Sequence, residues 1–416
     1  MTALFCQEGA DSAAQAELEK QHLSHLYAMQ GEVGITRIAD ITGLDVVGIP
    51  VTAVIRPRAR SLAVAQGKGL TKTAAKISGM MEAIELHHAE YHCPTPARFR
   101  LRDAPAHAVV NPDVLPRFAG QTLDSAATID WIEATDLCSS RPVWVPHRAV
   151  TMDRRDNRNP AEIFIGGATG LAAGFTLAAA VNHGLCEVIE RDAFALWKTA
   201  LQCGWQPMDI DLDSVDDATC RGLIDRFSAA GLLVAVWDMT SDFGIPVFLA
   251  EAIDPQSPPA TLINYSHGAG CDIRPSSALR KALLEAAQVR LTYISGARDD
   301  LLESDYGTQF DDIVTHRLAF LQCRRKSQAF PASPVASSRT SPSSIEEKNA
   351  FLLQRLWAHG KQTLAVDLTQ GRSGVHVVKV IIPGLEDDVG GTDCEPGIRA
   401  IRRRIACWLR QSPCVA

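Results

Sequence analysis

No apolar run in the 416-residue chain approaches the ~20 residues needed to span a bilayer, so a membrane-spanning helix is not expected. Met1–Ala10 lacks a basic stretch followed by an apolar core, the pattern of a secretion signal. Eleven cysteines, an odd number, are scattered from Cys6 to Cys414 without a single Cys-x-x-Cys pair. That spacing argues against a disulfide framework and against a structural zinc site, and fits reduced thiols in a cytoplasmic protein. Cys186 reads as a small buried apolar residue. Positive charge is not in excess either: the net charge of −7 argues against general nucleic-acid binding. No Gly-x4-Gly-Lys-Ser/Thr phosphate loop occurs. With 46% hydrophobic and 21% charged residues, what remains is an ordinary globular composition, long enough for a large core or two to three domains.

One stretch organises the rest. Gly174-Phe-Thr-Leu-Ala-Ala-Ala-Val-Asn-His-Gly-Leu-Cys-Glu-Val-Ile-Glu-Arg-Asp192 reads as a glycine turn followed by a helix. His183, Glu187 and Glu190 fall at i, i+4 and i+7 and therefore share a face, while Leu185, Val188 and Ile189 supply an apolar stripe. A mostly buried helix that aligns two carboxylates needs a cation cluster or a metal to balance them. Gly69-Leu-Thr-Lys-Thr-Ala-Ala-Lys-Ile-Ser-Gly-Met-Met-Glu-Ala-Ile-Glu85 superimposes on it without a gap. Glu82 then matches Glu187, Glu85 matches Glu190, and Ser78 stands where His183 stands. A weaker third copy contains Glu285, Gln288 and Arg290. A lone Glu-x-x-Glu is commonplace on solvated helices. Apolar flanks and repetition point instead to a shared hard-cation site.

Residues 13–30 suit a surface helix. Ile35–Asp45, Val46–Ile55 and Leu62–Gln66 are rich in β-branched residues and read as strands. The last feeds Gln66-Gly-Lys-Gly69, a glycine loop before a helix, which is a common anion-binding arrangement. His87 and His88 are adjacent, so they diverge on a helix and make poor joint metal ligands. Ile129–Leu137 and Arg141–His147 form an expected strand pair. Residues 205–253 show an αβ pattern. Residues 324–344 are Ser/Pro-rich and aperiodic. Beyond them a helix near Ile345–His359, a strand near Gln362–Asp367, a buried strand ending in a turn over Val375–Glu386, and a basic helix over Gly397–Arg410 are expected.

These motifs together resemble the YcaO family, and within it the members that work with a TfuA partner. The matching segments are Gly34-Ile-Thr-Arg37, Thr42-Gly-Leu-Asp45, Gly48-Ile-Pro-Val51, Gln66-Gly-Lys-Gly69, Met81-Glu-Ala-Ile-Glu85 and His88-Ala-Glu90. They continue in Gly170-Leu-Ala-Ala-Gly174, Gly184–Ala193, Glu285-Ala-Ala-Gln-Val-Arg290, Ile294–Asp300 and Pro383-Gly-Leu-Glu386. The match is dense over residues 34–310 and looser over 345–390. The resemblance implies an α+β YcaO-type fold, with pseudo-repeated glycine-loop/helix units around a nucleotide cleft. It implies a 1–33 N-terminal extension, a 34–323 catalytic domain, a 324–344 linker and a 345–416 αβ segment completing that domain.

The resemblance also implies chemistry. ATP and Mg²⁺ would be the cofactors, and phosphorylation of a peptide-backbone amide oxygen would turn a poor leaving group into phosphate. Glu82, Glu85, Glu187 and Glu190 match the metal positions. Glu187, Glu190 and Arg191 are the catalytic candidates. Lys68, Ser78, Glu82, Glu85, His183, Glu285, Gln288 and Arg290 are the nucleotide-site candidates, with Arg298 a further phosphate contact. A TfuA-like partner, sulfide and a ribosomally made precursor peptide or protein imply thioamidation; azoline cyclodehydration at Cys, Ser or Thr is the alternative. A silent peptide-docking subunit is the rival that has no need of the four glutamates. A homodimer or hetero-complex, with neither nucleic acid nor membrane, is expected. Three departures stand out: no Gly-Thr-His-Arg precedes Gly34, Phe175 replaces a common Asn, and Gln411–Ala416 holds one proline where azoline formers carry Pro-x-Pro-x-Pro. The last points toward the thioamide.

Overall fold

The computed structural model describes residues 12–104, 108–155, 163–256, 264–298, 317, 327–331, 342–371, 374–387 and 394–411. In chain order come helix α1 (Ser12–Val33), strands β1 (Arg37–Asp40), β2 (Val51–Ile55) and β3 (Val64–Lys68), and helix α2 (Lys72–Tyr91). Strands β4 (Ala97–Arg100), β5 (Thr128–Asp136), β6 (Pro142–Pro146) and β7 (Leu171–Gly174) precede helices α3 (Leu177–Gln202) and α4 (Ala218–Ala229). Strands β8 (Leu233–Asp238), β9 (Val247–Ile253) and β10 (Tyr265–Cys271) lead to helices α5 (Pro275–Ser295) and α6 (Ile345–Ala358). Strands β11 (Leu364–Asp367) and β12 (His376–Ile381) and helix α7 (Ile398–Gln411) follow. The class is the α+β expected. No described helix is long and apolar enough to cross a membrane.

The two matched sequence stretches start their helices by one device. The Thr71 hydroxyl accepts the Ala74 N–H at 3.0 Å, and the Thr176 hydroxyl accepts the Ala179 N–H at 3.1 Å. Each cap contributes about 1 kcal/mol by satisfying a first-turn donor. Two residues before each threonine sits a glycine. A Cβ on Gly69 or Gly174 would lie 2.6 Å from the amide nitrogen of Ala75 or Ala180, so no side chain fits where strand turns into helix.

The Gln66-Gly-Lys-Gly69 segment differs from the loop expected. Gly67 and Lys68 belong to β3 and pair with Thr52 and Val51 of β2. The reason for Gly67 is close packing: a Cβ there would meet the Gly79 amide nitrogen of α2 at 1.9 Å. Its glycine thus brings a helix onto a strand, and the segment is not a free phosphate cradle.

The described residues fall into two units. Unit 1 holds residues up to Ile84, Pro207–Thr240 and Ile245–Ser341. It contains the antiparallel sheets β1-β2-β3 and β10-β9-β8. Helix α5 lays Ala278, Ala282 and Ala286 against Val236 and Phe248, with Leu223 and Phe227 of α4 closing the core. At its other end Arg290 of α5 pairs with Asp45 at 2.9 Å, both side chains under 5% exposed. That pair fixes the turn at Thr42–Leu44, inside the stretch Ile35–Asp45 that was expected to run as one strand. Of the expected 324–344 linker, Gln328 bridges to Ile210, and the Phe330 N–H reaches the Ser214 hydroxyl at 2.7 Å. Residues 324–326 and 332–341 lie outside the described set.

Unit 2 holds Glu85–Gln206, Ser241–Gly244 and Pro342–Ala416. Its sheet runs β4-β5-β11-β12-β7, with β6 on the other side of β5. Helix α3 lies on β12 and β7, and α6 and α7 lie on α3. Leu185, Ile189, Val377 and Val378 are almost wholly buried, which anchors the carboxylate-bearing face of α3 in place. Cys186 is buried, as its apolar reading requires.

Candidate functional site

In unit 1, α2, β3 and α5 bring Ser78, Lys68, Glu82, Glu285 and Gln288 together. Ser78 is 1% exposed, and its hydroxyl accepts the Lys68 backbone N–H at 3.1 Å. The Lys68 ammonium sits 2.5 Å from a Glu285 carboxylate oxygen. Gln288 donates its amide to the Gln66 carbonyl at 2.9 Å, spanning from α5 to β3. Glu82 shares this neighbourhood. Burial pushes its carboxyl up to about 7, the charges of Lys68 and Arg298 and the Gln66 N–H pull it down, and Glu285 pushes it up again. Arg290 is placed differently: its Nε is held by both oxygens of Asp45 at 3.0 and 2.9 Å.

In unit 2, α3 presents His183, Glu187, Glu190 and Arg191, and the end of α2 presents Glu85. One Glu85 oxygen accepts the Ala173 N–H at 2.8 Å and lies 3.9 Å from His183 Nδ1. Glu190 is buried, with Arg191 Nη2 3.8 Å away. Glu187 keeps partial surface exposure, yet its carboxylate is set deep enough that burial pushes it up to about 7. Arg191, Lys379 and the Gly170 N–H at 3.3 Å work against that rise; Asp387 adds to it.

Lys379 and Asp387 escaped the sequence reading. Lys379 lies within a run that reads simply as a buried strand. Its register opposite Leu171 carries it under α3, where the ammonium donates to the Gly167 carbonyl at 2.5 Å. Burial lowers it to about 8, while Asp387 and Glu187 hold it up. Asp387 accepts the Thr169 hydroxyl at 2.9 Å. It also lines a cavity of about 230 Å³ bordered by Arg117, Lys198, Glu386 and Arg404. The signal that could have found Lys379 was a charged residue inside an otherwise apolar strand.

Three residues inside the family-like motifs turn out to hold the framework. Asp45 clamps Arg290. Asp192, with no exposed surface, takes Arg399 of α7 through two bonds of 2.8 and 2.9 Å and also accepts the Glu386 N–H. Glu386 caps α7 by accepting the N–H groups of Gly397 and Ala400, each at 2.9 Å.

The residues fit Mg²⁺ with a nucleotide. Among the described residues no three His, Cys, Asp or Glu side chains gather as a ready metal cage. Mg²⁺ on a nucleotide needs no such cage, because phosphate and water oxygens fill most of its octahedron and one or two carboxylates suffice. Glu82 and Glu187 are hard oxygen donors whose burial raises their proton affinity in spite of the lysine and arginine charges nearby.

Residues 66–386 match the family described as YcaO cyclodehydratase, ATP- and Mg²⁺-binding. The chain is 35% identical over 376 residues to an uncharacterised protein of the tfuA 3′ region in Rhizobium leguminosarum bv. trifolii, covering 89% of this chain and 88% of that one. Its fold is similar to YcaO from Methanopyrus kandleri bound with AMPPCP and Mg²⁺ (TM-score 0.66, 21% identity, 88% of this chain and 91% of that one). It is similar as well to a heterocyclase in complex with substrate and cofactor (TM-score 0.70, 21% identity), covering 88% of this chain and 52% of the other. With more than three-quarters of its length inside the family match, and with ATP and Mg²⁺ as its cofactors, the chain belongs to the YcaO family of ATP-dependent peptide-modifying enzymes.

Proposed function

We propose that this enzyme thioamidates the backbone of a ribosomally made peptide or protein, using ATP, sulfide and a TfuA-like partner. The observation that carries the reading is the relative in the tfuA 3′ region, alike along nearly nine-tenths of both chains. The likeness to heterocyclases supports the fold alone, so azoline formation is the second reading.

In this proposal each unit supplies carboxylates that would hold Mg²⁺ with nucleotide: Glu82 in unit 1, and Glu85, Glu187 and Glu190 in unit 2. Bound Mg²⁺ would neutralise phosphate charge and so ease attack on the γ-phosphorus. Arg191 would orient phosphate oxygens beside Glu187 and Lys68 beside Glu82, while the enclosed Lys379 offsets the charge of Glu187 from beneath. Gly170 N–H fixes Glu187 Oε2, which keeps that carboxylate aimed. The substrate amide oxygen takes the γ-phosphoryl group, and ADP leaves. Sulfide then adds to the activated carbon, phosphate departs with the former amide oxygen, and a thioamide remains. No side-chain nucleophile in the substrate is needed. A peptide in the cavity bordered by Asp387 would reach the Glu187 cluster through that shared residue.

Co-expression with a TfuA-like protein and a precursor peptide, read by high-resolution mass spectrometry, tests the reading. The expected product is heavier by the difference between sulfur and oxygen, and forms only with the partner present. Loss of one water, confined to Cys, Ser or Thr sites, would transfer the assignment to a cyclodehydratase. Isothermal titration with ATP and Mg²⁺ showing no binding would favour a silent docking subunit.

A further inference from the structure

Helix α7 is amphipathic in the reverse sense. Ala400, Arg399, Arg403 and Cys407 face the body of unit 2, while Ile398, Ile401, Ile405, Trp408 and Leu409 are 46%, 41%, 52%, 66% and 61% exposed. The inward arginines are engaged: Arg399 binds Asp192 and Asp242 and lies 4.6 Å from the Phe243 ring centroid, and Arg403 lies over Trp205 at 5.6 Å. Glu386 fixes the first turn. The orientation is therefore set by buried charge, and the helix cannot roll to hide its apolar side without breaking those pairs. The outward residues recur at i, i+3, i+7 and i+10, the anchor pattern of a helix received in a groove.

We propose that this outward stripe of α7 is the docking face for the TfuA-like protein, which meets it with an apolar groove rimmed by carboxylates. The inference rests on the partnership proposed above. Exposed Arg402 and Arg404 flank the stripe on either side, and α7 contains no Asp or Glu. Pairing α7 with α7 of a second copy would set arginines against arginines, which disfavours self-docking. An acidic protein groove is the occupant that satisfies both the stripe and its flanks. Through Arg399 and Asp192, α7 is fastened to α3, so a partner on α7 would sit one helix away from the proposed metal carboxylates Glu187 and Glu190.

The test titrates purified TfuA-like protein into the full-length enzyme, wild type, Ile405→Asp, and the double variant Arg402→Glu/Arg404→Glu. These side chains are exposed, and circular dichroism checks that the variants stay folded. Ile405→Asp should weaken binding roughly tenfold or more, as loss of a central apolar anchor does. The arginine pair should weaken it too and flatten its salt dependence. Binding by Ile405→Asp equal to wild type, with sulfur incorporation intact in both, overturns the docking face and leaves the thioamide reading standing. Failure of wild type to bind or to incorporate sulfur removes both. Sedimentation showing that Ile405→Asp disperses a wild-type dimer assigns the stripe to a second copy. Flotation of wild type but not Ile405→Asp on phosphatidylglycerol vesicles assigns it to lipid. Either result overturns the proposal.

Discussion

Glu82 and Glu187 occupy equivalent places in two matched helices, yet the lysine that serves each arrives by a different route. In unit 1 Lys68 comes from β3, the strand that runs directly into α2, and its pair with Glu285 keeps about a fifth of each side chain exposed. In unit 2 the position equivalent to Lys68 is Ala173, and the cation is Lys379 from β12, more than two hundred residues further along the chain. Lys379 is fully enclosed and carries a lowered proton affinity. One charge pattern has been rebuilt with a different donor. What both halves keep is a carboxylate pushed up to about 7 by burial, next to a cation and a second carboxylate. The common requirement is therefore a buried acid short of positive charge, and the identity of its lysine is secondary.

The comparison breaks most visibly in catalysis. Glu187→Gln and Glu82→Gln preserve shape and remove one charge each. Under the proposed role both should lower ATP turnover by on the order of a hundredfold or more, since each would take away a carboxylate proposed to hold Mg²⁺ with nucleotide. Steady-state phosphate release at saturating peptide and partner measures it. A fully active Glu82→Gln beside a dead Glu187→Gln would show that only unit 2 does chemistry.

Stability separates the two lysines. Removing one partner of an enclosed charge cluster leaves the others uncompensated, so Lys379→Met should cost about 3 kcal/mol. Lys68→Met, at a partly exposed pair, should cost about 1 kcal/mol or less. Urea denaturation of the two variants checks the ordering, and equal costs would mean that the burial difference has no energetic consequence.

The local elements and the repeated Glu helices were legible because they depend on spacing within twenty residues. Gly69-x-Thr71 and Gly174-x-Thr176 announce their helices through cap and close approach, both local effects. The α5 copy could be read as far as Glu285, Gln288 and Arg290 but not to the role of Arg290, because Asp45 lies across the fold. Glu386 and Asp192 stand inside matched segments without a role readable from the sequence, and they act as a helix cap and an arginine clamp. Gly67 looked like a phosphate loop and is a packing contact, since strand pairing with β2 decides its conformation. Lys379 was invisible because an apolar strand pattern says which face is buried, and nothing about which charge on another element will meet it. Long-range pairing is what these misses share.

The smallest expected effect is on pH dependence, and it sharpens the comparison further. A carboxyl raised from 4.5 to about 7 binds more protons folded than unfolded throughout that window. Its contribution is fully present below 4.5 and lost as pH rises through about 7, so the ligand-free protein should lose stability over that range. Each glutamate should contribute on the order of 1–2 kcal/mol after solvent screening. Glu82→Gln and Glu187→Gln should each flatten the decline by a similar amount in calorimetric melting curves. Lys379 works in the opposite sense. Its proton affinity falls from 10.5 to about 8, so between those values the unfolded chain holds the extra proton and stability rises with pH. Lys379→Met should remove that alkaline rise and Glu82→Gln should leave it untouched, because Glu82 belongs to the other charge set. Mg²⁺ with ATP should shrink the acid-side decline in wild type by supplying the missing positive charge. A decline that survives both glutamine substitutions unchanged would mean that neither carboxyl is held neutral by burial, and the shared feature of the two halves would be lost with it.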